Sequence, residues 1–308
     1  MAKHAIEFTT GMWFVAALFA ALAAGCGSGD EIFGTGGGSP GPAGPAPALG
    51  AAAPFGGLAG GAAGITNQGT STVITGAQGQ PVSIGTTGAS TLVTGFHDTS
   101  VAYVPPPAAS GCTYTETTLN IGRVDGTINT DAPPPTLTCP LEGTAGTKAI
   151  ADAAALAALA AFNDLAGRPG ATDPGANLGG LTLAPGVYAT ASGGFLITGS
   201  DLTLDAGGNA NAVWVFQMAN TLTVGAAGAP RSVILAGGAQ PKNVFWQVGS
   251  AATINAAGGG TMVGTIISQA ATTFSTAGNA TITTLNGRAL ALTAAVTMVN
   301  TVVNVPAP

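Results

Sequence analysis

The sequence predicts an all-β-dominated fold: a parallel β-solenoid with one long α-helix packed alongside. Three observations carry that prediction. A strand-and-corner pattern repeats at offsets of 20 to 30 residues in the C-terminal half, the spacing at which solenoid coils stack. A Thr recurs between apolar neighbours in those repeats. Only one segment of the chain carries a convincing helical signal.

In chain order, the first element reads as an export signal. Lys3 and His4 precede the apolar run "MWFVAALFAALAAG", which is too short for a spanning helix and has the flanks of a signal peptide. The residues Leu22 to Cys26, "LAAGC", resemble a bacterial lipobox, in which the Cys is lipidated and becomes the new N-terminus. Residues 1–25 are therefore expected to be a lipoprotein signal peptide. With Gly27 rather than Asp after the Cys, the pattern points to the outer membrane in a cell that has two, and otherwise to the cell surface. Residues 26–54 are rich in Gly, Pro and Ala without a strict three-residue period, and read as a tether.

The remaining 55–308 reads as the solenoid domain. Short runs such as "STVITG" and "STLVTG", each ending in Gly, are strands with tight corners. Residues 105–144, with three prolines near each end, read as a surface excursion. With Cys26 assigned to lipid, Cys112 and Cys139 remain as an even pair in an oxidising compartment. A bridge between them would contribute roughly 3 to 4 kcal/mol by restricting the unfolded chain.

The helix is expected over 145–167. Thr144 or Thr147 can cap its start, Ala fills its interior, and Gly167 followed by Pro169 ends it. Its bulky residues Ile150, Leu156, Leu159, Phe162 and Leu165 form a broad, slanted apolar surface. An Ala-rich helix without a clean polar face is expected to pack closely against something large.

Beyond Asn177 the repeat takes over. "VWVFQMANTLTVGAAG" (213–228) overlays "NVFWQVGSAATINAAG" (243–258), matching Gln217 with Gln247 and Thr223 with Thr253. The Thr position recurs at Thr203, Thr223, Thr253, Thr273 and Thr297, at spacings of 20, 30, 20 and 24 residues. Side chains alternate across a strand, so the apolar neighbours point inward and the Thr outward. Stacked coils would bring these Thr into a column at about 4.8 Å intervals, with Thr221 beside it. In "VWVFQ" and "NVFWQ" both parities are bulky and apolar. Those strands are expected to be buried on both faces, one against the core and one under the helix.

The chemistry available is sparse. Charged residues are 6% of the chain, and the net charge of −6 with seven basic residues opposes nucleic-acid binding, which uses clustered Lys and Arg. From residue 174 onward the charged residues are Asp201, Asp205, Arg231, Lys242 and Arg288. Asp201 and Asp205 share one strand parity and could form a carboxylate pair or hold Ca2+, although solubilising surface charge is the simpler role. His97 is the one histidine beyond the signal, and "TGFHDTS" has no nucleophile-elbow pattern. No catalytic set, metal site or cofactor is expected, and a polysaccharide lyase on this fold would need the clustered Lys, Arg and Asp that the chain lacks.

The phrases "LGGLTLAPGVYATASGGFLITGSDLTLDAGGNANAVWVFQMANTLTV", "GGAQPKNVFWQVGSAATI" and "NGRALALTAAVTM", with "FGGLAGGAAGITNQGTSTVITG" and "AFNDLAGRPG" upstream, resemble the bacterial and fungal ice-binding proteins of the DUF3494 type. The resemblance spans roughly residues 55–305 and implies an irregular right-handed β-helix flanked by a long α-helix. It also implies an ice crystal surface as the partner. The excursion at 105–144 and the residues Asp201, Asp205 and Ala251 depart from a uniform column. The expected ice-binding residues, taken from strand alternation, are Thr203, Thr221, Thr223, Thr253, Thr273 and Thr297. A cell-surface adhesin or scaffold on the same fold, meeting glycans or proteins at loops such as 105–144, is the alternative.

Overall fold

The computed structural model describes residues 42–99, 116–132, 143–226 and 228–307. The signal peptide, Cys26, Cys112 and Cys139 lie outside the described residues.

The strands form parallel sheets of twelve, seven and three strands, which enclose one apolar core. Along the twelve-stranded sheet, Tyr188, Phe216 and Trp246 stand in register and stack inside the coil. Ring centroids are 5.4 Å apart for Tyr188 and Phe216, and 4.0 Å for Phe216 and Trp246. The indole N–H groups of Trp214 and Trp246 donate to the carbonyls of Leu183 and Val263, so these large side chains are buried without orphaned donors.

The alternate residues of the same strands face outward. Val187, Val215, Phe245, Ile267 and Leu290 pack with helix residues Ala154, Ala158, Ala161 and Leu165 in a second apolar layer. This is the double burial expected for "VWVFQ" and "NVFWQ". The helix spans Ala145–Ala166, capped by Thr144 and Thr147 in a reciprocal capping box. Its far end is held by the repeat's Gln217, whose Nε2 donates to the carbonyls of Leu165 and Arg168 at 2.7 and 2.8 Å. One of these carbonyls lies in the helix's last turn and the other just past its end, where intrahelical donors run out.

The helix packs closely, but mainly through its alanines: of the bulky residues, Leu165 is buried and Phe162 partly so. Ala151, Ala154, Ala158, Ala161 and Leu165 are buried, whereas Ile150, Leu156 and Leu159 are 50%, 69% and 42% exposed. The outer layer of the sheet already supplies large side chains such as Phe245 and Leu290. Alanine lets the helix backbone settle onto them, and leucine would hold it away.

Two further expectations are corrected. The segment assigned to the tether is ordered well before residue 55: Gly50–Ala52 forms a short 3-10 turn, and Ala43, Leu49 and Ala52 pack into the helix layer. The excursion is interrupted by sheet, since Gly122–Val124 pairs with Thr72–Gly76 and Gly126–Asp131 pairs with Val82–Ala89. The run "GTINTD" alternates well enough to bury Ile128.

Coil order in space departs from coil order in sequence. The N-terminal coil stacks on the last one, with Phe55–Ala59 pairing Thr283–Ala291 and Ile65–Asn67 pairing Val296–Met298. An open parallel edge exposes a row of backbone donors and acceptors, and the first coil covers it. The long strands Thr261–Ser268 and Thr283–Ala291 bend around a solenoid corner at the register pair Gly264 and Gly287. Gly264 takes φ of +101°, and a Cβ at Gly287 would collide with the Gly264 carbonyl.

Candidate functional site

The seven-stranded sheet carries the Thr column. In spatial order its strands are Phe195–Ile197, Leu222–Val224, Ala252–Ile254, Thr272–Phe274, Val296–Met298, Ile65–Asn67 and Val93–Thr94. Register places Leu196, Thr223, Thr253, Thr273, Thr297, Thr66 and Thr94 in one row. Six consecutive ranks therefore present Thr. The flanking residues, including Phe195, Leu222, Val224, Ile254, Phe274, Val296, Met298 and Ile65, are buried, so the inward and outward parities are as expected.

The strands of this sheet are uncharged. None of its strand residues is Asp, Glu, Lys or Arg. Two positions before each outward Thr, on the same parity, stand Thr221, Ala251, Ala271, Ala295, Gly64 and Leu92. Backbone bonds such as Leu222 N–H to the Ala251 carbonyl, Ala252 N–H to Ala271 and Thr272 N–H to Ala295 extend the ladder to them. Between Thr221 and Leu92 at its two ends, the second row is thus methyl groups and a hydrogen, shorter than the Thr. After each of three neighbouring strands the chain leaves through a left-handed residue, Gly225, Asn255 or Ser275. Asn255 steadies that corner, its Nδ2 donating to the carbonyls of Arg231 and Gly259 and its Oδ1 accepting from Arg231 N–H.

Thr223, Thr253, Thr273 and Thr297 stand where the sequence places them, with Thr221 beside the row. Thr203 does not join them. Its strand, Leu202–Asp205, belongs to the three-stranded sheet, where Thr203 pairs with Ile234 and Thr182. The reason is geometric: a Thr between Leu202 and Leu204 points outward on whichever side of the coil it lies, and alternation alone does not say which side. The row instead gains Thr66 and Thr94 from the N-terminal coil. Their signal was present in "GITNQG" and "TLVTG", where each Thr follows a buried β-branched residue, Ile65 or Val93.

The charged residues serve the scaffold. Asp201 Oδ1 accepts from Ser232 N–H at 2.8 Å and Asp205 Oδ1 from Gly207 N–H at 2.9 Å, so both carboxylates tie turns. His97 Nδ1 lies 2.8 Å from Glu116 Oε1, which also accepts from Gly122 N–H. Among the described residues, no group of three His, Cys, Asp or Glu side chains is arranged to hold a metal ion.

Fold and face together define a class: a parallel β-solenoid with a flanking helix that presents an uncharged, Thr-ranked sheet to its surroundings. The chain matches the Ice-binding-like family over residues 59–304 and belongs to that family. An ice-binding protein of Nostoc sp. (strain HG1) is 42% identical over 139 residues, which is 45% of this chain and 47% of that protein. One of Flavobacterium frigoris (strain PS1) is 37% identical over 145 residues, 46% of this chain and 48% of that protein. The chain spans about half the length of the curated relatives it matches. Among solved structures, the ice-binding protein of the Antarctic ascomycete Antarctomyces psychrotrophicus aligns with a TM-score of 0.61 at 30% identity, over 85% of this chain and 100% of that one. The DUF3494 domain of Shewanella frigidimarina ice-binding protein 1 aligns with a TM-score of 0.63 at 25% identity, over 84% and 98%.

Proposed function

We propose that the chain adsorbs to ice through the seven-stranded face and so restrains ice growth or recrystallisation, or holds a cell against ice. The observation that carries this is the row of six Thr in register on an uncharged sheet. Each Thr offers a methyl and a hydroxyl at a position set by the backbone ladder. Such an array orders surface water at regular intervals, and that water can merge with a lattice. Charged side chains would keep hydration shells of their own and disturb the match. The action is adsorption, with no bond made or broken and hence no catalytic residue.

Family membership supports this reading, as do relatives that are ice-binding proteins in bacteria and fungi. The proposal extends to export and to a lipid anchor at Cys26, which would hold the ice-facing domain at the outer membrane or cell surface. Membrane contact then runs through the lipid alone.

The direct test grows an ice front slowly through a solution of the labelled full-length chain and measures partition into ice, together with recrystallisation inhibition. Enrichment in the ice and smaller grains are expected. A folded chain rejected by the advancing ice, with grain growth as in buffer, would overturn the proposal and leave a cell-surface adhesin or scaffold.

A further inference from the structure

A pocket of about 530 Å³ lies beside the helix layer, away from the Thr face, lined among others by Leu49, Ala53, Val213, Phe245, Lys242 and Arg288. Pockets of this size hold small organic ligands when apolar walls surround a few polar groups. Here the walls come from the ordered end of the Pro- and Ala-rich segment and from the outer layer of the twelve-stranded sheet.

Arg288 is the unusual member. It is only 2% exposed. Its Nε donates to the Ala53 carbonyl at 2.7 Å and one terminal nitrogen to the Pro306 carbonyl at 2.8 Å. These bonds join the first coil to the last. Among the described residues no carboxylate pairs with it. A buried cation facing only carbonyl dipoles lacks the counter-charge that normally offsets its lost hydration, and burial pulls its pKa down to about 10. Beside it in register stands Thr265, whose neighbour on the other side is Phe245. Thr265 is fully buried and its hydroxyl has no hydrogen-bond partner. An unneutralised guanidinium and an aromatic ring thus line one largely apolar pocket, with the unused Thr265 hydroxyl in the strand between them.

We propose that this pocket binds a small organic carboxylate, with Arg288 holding the carboxylate and Phe245, Val213 and Leu49 enclosing its apolar body. Arg suits the role because its guanidinium keeps its charge and has five N–H donors, of which the two bonds to Ala53 and Pro306 use only two. Phosphate or chloride would satisfy the charge and leave the apolar walls unused. A neutral analogue would do the reverse. Because no residue of the seven-stranded sheet lines the pocket, the site is independent of the ice-facing proposal.

The test is calorimetric titration of the full-length chain with sodium benzoate, benzyl alcohol and sodium phosphate at constant ionic strength. One-to-one binding of benzoate is expected, at least tenfold tighter than benzyl alcohol or phosphate, together with a rise in Tm that grows with benzoate concentration. Arg288→Met should weaken benzoate at least tenfold. Because that change also breaks the link between coils, Ala46→Trp, at an exposed wall position, should fill the pocket and abolish binding while leaving the bonds of Arg288 in place. No benzoate binding by the folded wild type would overturn the proposal. So would undiminished binding in Ala46→Trp or in a folded Arg288→Met, or phosphate binding more tightly than benzoate.

Discussion

Replacing Thr273 with Tyr tests the proposed face at its middle. Thr273 has Thr253 and Thr297 as in-register neighbours, and two further Thr ranks lie beyond Thr297. Six Thr ranks make five steps of about 4.8 Å, about 24 Å in all, and two same-face positions along a strand are about 6.7 Å apart. The patch is then about 160 Å² for the Thr row and its Ala and Gly neighbours. That area sets the patch's contribution to adsorption; ice is itself water, so the Thr methyls stay against water and no apolar transfer energy applies. A Tyr ring standing above short side chains would hold a flat lattice away from both halves of the row, so most of that contribution should be lost. The fold should survive, since Thr273 is half-exposed between buried neighbours and Tyr is favourable in strands. The assay is recrystallisation inhibition and thermal hysteresis, with Tm and far-UV dichroism as fold checks. Thr203→Tyr is the control, because its strand lies in a different sheet. If folded Thr273→Tyr kept full activity, or Thr203→Tyr lost it, the assignment of the binding face would be wrong.

The scaffold yields further expectations. Phe216→Ala removes the middle ring of the Tyr188–Phe216–Trp246 stack and should cost about 3 to 5 kcal/mol, read from the urea midpoint. Ala158→Leu, against the sheet, should cost about 1 to 3 kcal/mol by overpacking, whereas Ala160→Leu on the exposed side should change stability by no more than about 0.5 kcal/mol; equal effects would contradict the Ala-stripe packing. Burial pushes the Tyr188 hydroxyl above the ordinary phenol value, up to about 12, and its O–H donates to the Ala184 carbonyl. Its contribution is complete below about pH 10 and is lost as pH rises toward about 12, because the unfolded chain gives up the proton first. Arg288, with its lowered pKa, acts in the opposite sense over part of that range, so the measurement is the difference in alkaline stability between wild type and Tyr188→Phe; an unchanged slope would refute the assignment. In the native host, Cys26→Ala should abolish incorporation of labelled fatty acid, and a variant that still takes up label would exclude the lipid anchor at Cys26.

Much of the fold was written locally. Strand alternation sorted inward from outward residues at Thr223, Thr253, Thr273 and Thr297, because a period of two puts neighbours on opposite faces whatever the surroundings. The repeat joining Gln217 to Gln247 identified stacked coils, and the two-sided apolar strands called for a layer outside the sheet. Capping residues set the helix start at Thr144, since caps act within one turn. Tertiary structure decided the rest. Which side of the coil a Thr occupies depends on where the corners fall, so Thr203 left the row although its neighbours look the same as those of Thr223. Thr66 and Thr94 entered it because the open edge of the last coil is covered by the first, a contact between chain ends that no local pattern encodes. The helix turned its alanines inward for a related reason: the space beneath it was already filled by Phe245, Ile267 and Leu290, and only assembled neighbours determine how much room a side chain has.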